Sequence, residues 1–179
     1  MKPVIILPAC LLSMTVSGQQ NEKKYSFYLQ GGYKSSLFIK EAAMHTLSSA
    51  TESNSHKCIV LNTGVQFYLT ATCRIGASLT YDHFGTKHRS VEQSNLSYFV
   101  RCDRIWKQKR KYAWYSGLML GVTRIRRFEK ETEIFRHSAA GYHIYLVGAE
   151  YKLVNNLFID ANAGWGMSGI LSLGAKFRF

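Results

Sequence analysis

The chain has 179 residues and carries 23 Lys and Arg against 11 Asp and Glu, a formal net charge of +12 at pH 7. Tyrosine (11) and glycine (14) are abundant and proline (2) is scarce. One domain's worth of chain leaves no room for a sixteen-stranded pore. Past Gly18 no apolar run is long enough for a membrane-crossing helix, and no helix, zinc motif or RNA-binding signature carries the basic charge toward nucleic acid.

Lys2, the short apolar run Val4 to Leu12 and the small residues Val16-Ser17-Gly18 predict a secretory signal over residues 1–18. Cleavage near Gly18 leaves a domain over 19–179 and takes the charge from +12 to +11 with the loss of Lys2. Leu7-Pro8-Ala9-Cys10 also loosely resembles a lipobox, whose Cys10 would become a lipidated N-terminus.

Period-two alternation marks a strand with two unlike faces, and it recurs along the chain. Strand one is predicted over Tyr25 to Lys34, with Phe27, Leu29 and Tyr33 on one face and Ser26, Gln30 and Gly32 on the other. A polar loop follows over 35–57, within which Leu37 to Met44 forms either a short helix or an extension of the strand. Strand two, Cys58 to Leu69, turns through Thr70-Ala71-Thr72 into strand three, Cys73 to His83, where Ile75, Ala77, Leu79 and Tyr81 oppose Arg74, Gly76, Ser78, Thr80 and Asp82. Phe84 to Ser94 reads as a second loop. Strand four, Asn95 to Trp106, presents Leu96, Tyr98 and Val100 on one face and Ser97, Arg101 and Asp103 on the other.

The basic turn Lys107 to Lys111 leads to strand five, Tyr112 to Thr123, with Trp114, Leu118, Leu120 and Val122 outward and Tyr115, Gly117, Met119 and Gly121 inward. A charged loop, Arg124 to His137, comes next. Strand six, Ser138 to Lys152, is apolar on both faces; Tyr145, Val147, Ala149 and Tyr151 are assigned outward and Glu150 inward. Val154-Asn155-Asn156 is a turn. Strand seven, Leu157 to Trp165, and the brief loop Gly166 to Gly169 precede the last strand. There Leu171, Leu173, Ala175, Phe177 and Phe179 alternate with Ser172, Gly174, Lys176 and Arg178.

A chain that ends on an apolar face closed by phenylalanine suits lipid rather than water. The segment Ser172-x-Gly174-x-x-Phe177-x-Phe179 resembles the C-terminal assembly signal of bacterial outer-membrane barrels. Gly164-Trp165-Gly166 through Phe179 is similar to barrels of the Bacteroidota porin-like group. The resemblance implies an all-β fold, an eight-stranded antiparallel up-and-down transmembrane β-barrel, in the outer membrane. It also implies the barrel assembly machinery as a partner, which would read Ser172, Gly174, Phe177 and Phe179.

Two features of the residues favour a barrel over a soluble β-sandwich. Charges of mixed sign sit in mid-strand on the polar parity: Arg74, Asp82, Arg101, Asp103, Glu150, Asp160 and Lys176. These suit a packed, ion-paired interior, and eight strands enclose a bore just wide enough for side chains. Aromatic residues gather near predicted strand ends, among them Tyr25, Tyr33, Tyr68, Tyr81, Trp106, Tyr112, Tyr151 and Trp165, as interfacial girdles do.

Three functions remain open. The leading one is an envelope-structural or surface-interaction role through the loops 35–57 and 124–137. The second is a narrow porin-like channel for small solutes. The third is a lipid-modifying enzyme, for which His137 and Ser138 are poorly arranged, since adjacent strand residues face opposite ways. No catalytic residue, cofactor site or metal-ligand spacing is identified. Lys107, Lys109, Arg110, Lys111, Arg124, Arg126 and Arg127 are rim cations that suit either solvent or outer-membrane lipid phosphates, such as those of lipopolysaccharide. The odd cysteines Cys58, Cys73 and Cys102 do not form a paired set.

Overall fold

The computed structural model describes residues 25–34, 58–86, 91–129 and 132–179. The proposed signal 1–18, the lipobox cysteine Cys10 and the loop 35–57 lie outside them. Eight antiparallel strands follow in chain order: β1 (Tyr25–Tyr33), β2 (Cys58–Thr70), β3 (Cys73–Thr86), β4 (Val91–Gln108), β5 (Tyr112–Glu129), β6 (Thr132–Val154), β7 (Leu157–Gly166) and β8 (Leu171–Arg178). Each pairs with its sequence neighbours, and β1 pairs with β8, so the sheet is a closed barrel. No helix occurs among the described residues.

Closure is fixed where the start of β1 meets the residue that follows β8. The Tyr25 and Phe179 backbones exchange hydrogen bonds of 3.2 and 3.0 Å. The Tyr25 ring stacks on Phe179 at 6.1 Å and meets Phe67 at 5.3 Å. An unpaired edge in lipid would leave backbone groups without partners at several kcal/mol each, so this seam matters as much as any core contact.

Alternation sorts the side chains. Phe27, Leu29, Val65, Leu79, Val100, Leu120, Val122, Leu173 and Phe177 point outward and are exposed, while Arg74, Arg101, Tyr115, Met119, Glu150 and Lys176 fill the bore. A water-soluble barrel would place these two sets the other way round. Inward glycines make room for the large side chains. A methyl on Gly148 would stand 2.2 Å from the Tyr115 ring, and one on Gly117 would stand 2.1 Å from the Asp103 carboxylate.

Two expected loops are largely strand. Most of Phe84 to Ser94 joins β3 and β4, leaving residues 87–90 between them, and Arg124 to His137 joins β5 and β6 except at residues 130–131. Charged residues there read as a loop, but the ladder continues beneath them: Arg124 pairs with Ser138, Ile125 with His137 and Arg126 with Arg136. The result is a two-stranded arm that continues the barrel wall beyond its apolar belt.

The parity of β6 also differs from expectation. Tyr145 is not outward; it is 1% exposed inside the bore. The cause is a β-bulge, where β6 supplies one extra residue against both neighbours between Tyr145 and Gly148. Leu146 and Val147 both face out there, so His143 and Tyr145 on one side of the bulge and Gly148 and Glu150 on the other all face in. Strict alternation through Val147 and Ala149 carries the wrong phase back to Tyr145. Tyr68 likewise belongs to the interior rather than to the girdle, packed on Ile105, Ala113 and Tyr115.

Candidate functional site in the bore and at the loop end

The bore is stacked in layers. Nearest the short turns lies an ionic layer in which β3 and β4 place Arg74 directly opposite Asp103, and β6 and β7 place Glu150 directly opposite Asp160. Two carboxylates face to face are unfavourable unless a cation bridges them. Lys176 on β8 does so, its Nζ lying 2.6 Å from Glu150 and 3.4 Å from Asp160. Arg74 Nε donates to Asp103 at 2.7 Å and its other end donates to Glu150. Arg178 also donates to Glu150, and Arg101 Nε donates to Asp103 at 2.9 Å. Four cations thus meet three carboxylates, with Gln66 (2.7 Å to Asp103) and Tyr115 (2.6 Å to Asp160) adding neutral donors.

Aromatic faces complete this layer. The Arg101 guanidinium lies 4.4 Å from the Tyr145 ring centre and 4.8 Å from that of Tyr28, and Arg74 lies 4.2 Å from Tyr115. Desolvated cation–π contacts of this kind contribute on the order of 2 kcal/mol each, which offsets part of the cost of burying the surplus cation.

Above it sits a mixed layer. Phe99, Met119, Tyr145 and Met167 pack together, and the Tyr145 hydroxyl donates to the Met119 sulfur. The short β7–β8 connection dips inward to supply Met167 and Ser168; the Ser168 amide donates to His143 Nδ1 at 3.2 Å. Gly166 and Gly169 allow that path, at φ +140° and +93°. His143 therefore lies inside the bore. Closest to the loop end, Asp82, Gln93, Asn95, Ser97 and Thr123 form a polar layer. Asp82 accepts from Asn95 at 3.4 Å and from the Cys58 thiol. It sits eight residues along β3 from Arg74, well away from the ionic layer.

Sequence reasoning missed Tyr28, Tyr145, His143 and Arg178 as parts of this packing. Tyr28 and Arg178 each occupy the inward phase of an alternating strand, so a signal for them existed. The bulge hid Tyr145 and His143. Among the described residues no group of three His, Cys, Asp or Glu converges as a metal centre would. Cys73 stands opposite Arg104 and Cys102 opposite Ile75, so the two cysteines are diagonal neighbours, and no disulfide joins them.

The outer face reads as rows across β3, β4, β5 and β6. Ala77, Val100, Leu120 and Tyr142 form one row; Leu79, Tyr98, Val122 and Ala140 form the next. Then come Tyr81, Leu96, Arg124 and Ser138, and finally His83, Ser94, Arg126 and Arg136. From outward Arg104 to Ser94, β4 climbs roughly 33 Å at about 3.3 Å per residue. At the ~40° tilt usual for such barrels that is roughly 25 Å of height, the size of an outer-membrane apolar band. Arg127 is not part of the rim surface; it takes the bore-side parity and donates to Gln93 at 3.1 Å.

One His–Ser side-chain contact exists on this face, His83 Nδ1 to Ser94 Oγ at 3.1 Å. Among the described residues no carboxylate touches His83, which instead stacks on Tyr81. Without a third group to orient the imidazole, the pair lacks the makings of an activated nucleophile.

No protein-family model matches the chain, and no curated protein does. Solved structures do. The N-terminal β-barrel domain of Pseudomonas aeruginosa OprF superposes with a TM-score of 0.55 at 14% identity, covering 89% of this chain and 100% of that one. Neisserial surface protein A (NspA) gives 0.56 at 14%, covering 87% and 95%. Ail, the attachment invasion locus protein of Yersinia pestis, gives 0.51 at 14%, covering 87% and 97%. The fold is that of the small outer-membrane β-barrels. At this identity the likeness is one of fold.

Proposed function

We propose that this chain is an integral outer-membrane barrel with a closed bore that serves the cell envelope, as a structural or surface-interaction protein, through its loop end. The observation that carries the reading is the ionic layer: Arg74, Arg101, Asp103, Glu150 and Lys176 have no exposed side-chain surface and span the bore between opposite walls. A barrel built this way has no aqueous path. Its contact surface is then the outside, and the β1–β2 connection is the longest between consecutive strands. NspA and Ail, which share the fold, are named as a surface protein and an attachment invasion locus protein; the same role for this chain is our proposal.

Planar-bilayer recording of the refolded protein tests it. A closed bore gives no steady conductance across the bilayer. Reproducible unitary steps that persist when the preparation is repurified would replace this reading with the narrow channel.

A further inference from the structure

The arm formed by β5 and β6 carries Arg124, Arg126 and Arg136 on its outer face, all exposed. Arg126 and Arg136 stand directly opposite each other in the ladder. Like charges in that position oppose pairing, and among the described residues no carboxylate stands between them. Among the described residues no carboxylate forms an ion pair with any of the three; Glu92, on the same face of β4, makes none. Arg124 lies 5.9 Å above the Tyr98 ring. Ser94 stands opposite Arg126 and Ser138 opposite Arg124, so two hydroxyls flank the cations. One row further down the surface is wholly apolar, with Leu79, Tyr98, Val122 and Ala140.

We infer that Arg124, Arg126 and Arg136 bind the phosphate of a phosphorylated outer-leaflet lipid, with Ser94 and Ser138 as neutral hydrogen-bond partners and the acyl chains lying on Leu79, Tyr98 and Val122. This rests on the membrane-barrel reading above. The guanidinium fork matches phosphate oxygens in pairs, and a bound dianion turns the Arg126–Arg136 repulsion into a shared attraction. Continuity with the apolar rows is what selects a lipid. Phosphate free in water meets here only exposed charges that solvent screens, whereas a lipid is held at headgroup and chain together. Long connections mark the external end of such barrels, and residues 34–57 leave from this end, which sets the site in the outer leaflet.

The test is native mass spectrometry of the full barrel released from non-ionic micelles doped with equal amounts of diphosphoryl lipid A and its dephosphorylated form. The expected result is at least about tenfold greater retention of the diphosphoryl lipid, the order lost with a hydrogen bond to a charged group. R124Q/R126Q/R136Q should abolish that preference. Equal retention of both lipids by the wild type overturns the inference. So does an unchanged preference in the triple variant, or displacement of the lipid by inorganic phosphate at equal concentration, which would mark a free-anion site. If the variant fails to insert, the wild type decides alone: its preference should shrink as salt rises from about 0.1 M to about 1 M, and indifference to salt refutes the contact. The same sample, run cold and boiled in SDS, separates the two readings. No heat-dependent shift sinks the membrane barrel, whereas a shift with equal lipid retention sinks only this site.

Discussion

Replacing Glu150 by alanine removes the acceptor shared by Arg74, Lys176 and Arg178. Breaking a buried ion pair by deleting one partner costs about 3–5 kcal/mol, because the other partner keeps its desolvation penalty. The structure argues for the lower end. Arg74 keeps Asp103 at 2.7 Å and Lys176 keeps Asp160 at 3.4 Å, while Arg178 keeps the Phe158 ring at 4.1 Å. A loss of about 3 kcal/mol in a chain of this size lowers the unfolding temperature by roughly 6–12 °C. The assay is the temperature at which the micelle-folded protein changes its mobility in SDS, with outer-membrane fractionation as a control for assembly. Glu150→Ala combined with Lys176→Met should cost less than the sum of the single changes by about 1 kcal/mol or more, as residues in one network do. An unchanged transition in Glu150→Ala, or strict additivity in the double variant, would refute the claim that Glu150 organises the bore.

Three further outcomes follow from the packing. Gly148→Val drives a side chain into the Tyr115 ring, so the urea midpoint should fall by an amount equivalent to about 1–3 kcal/mol; a neutral result would mean that Tyr115 leaves the ionic layer freely. Leu120→Lys places a charge in the middle of the outer belt, where Leu120 is 55% exposed. In lipid it costs about 2–4 kcal/mol near the midplane, whereas on a water-facing wall it would be silent, and unfolding in vesicles tells the two apart. Phe177→Ser with Phe179→Ser removes the apolar end of the seam and should lower the folded fraction recovered from outer membranes; full recovery would deny these residues a role in assembly.

Much of the wall was legible because one rule, alternation, governs both strand geometry and the contrast between lipid and bore. Ile75, Ala77, Leu79 and Tyr81 against Arg74, Gly76, Ser78, Thr80 and Asp82 needs no tertiary knowledge. Three things were not legible. The arm Arg124 to Arg136 is rich in charge, and charge reads as loop; only its register with β6 reveals a ladder that continues past the belt. The bulge at Leu146 and Val147 inserts one residue into a strand that is apolar on both faces. No polar marker records the change of phase, so alternation alone points Tyr145 outward. The pairing inside the bore was beyond reach as well. That Lys176 serves both Glu150 and Asp160 depends on β6, β7 and β8 lying side by side at one height, which composition does not encode.

The account stands or falls on a closed barrel in the outer membrane. Electrophoresis of outer-membrane fractions in SDS, unboiled against boiled, examines that claim most directly. A closed, ion-packed barrel holds its shape in cold SDS and shifts to the mobility of the unfolded chain only after heating, which is the result expected here. Identical migration before and after boiling, with the protein recovered in the soluble fraction, would contradict the membrane barrel and every site argued from its two faces.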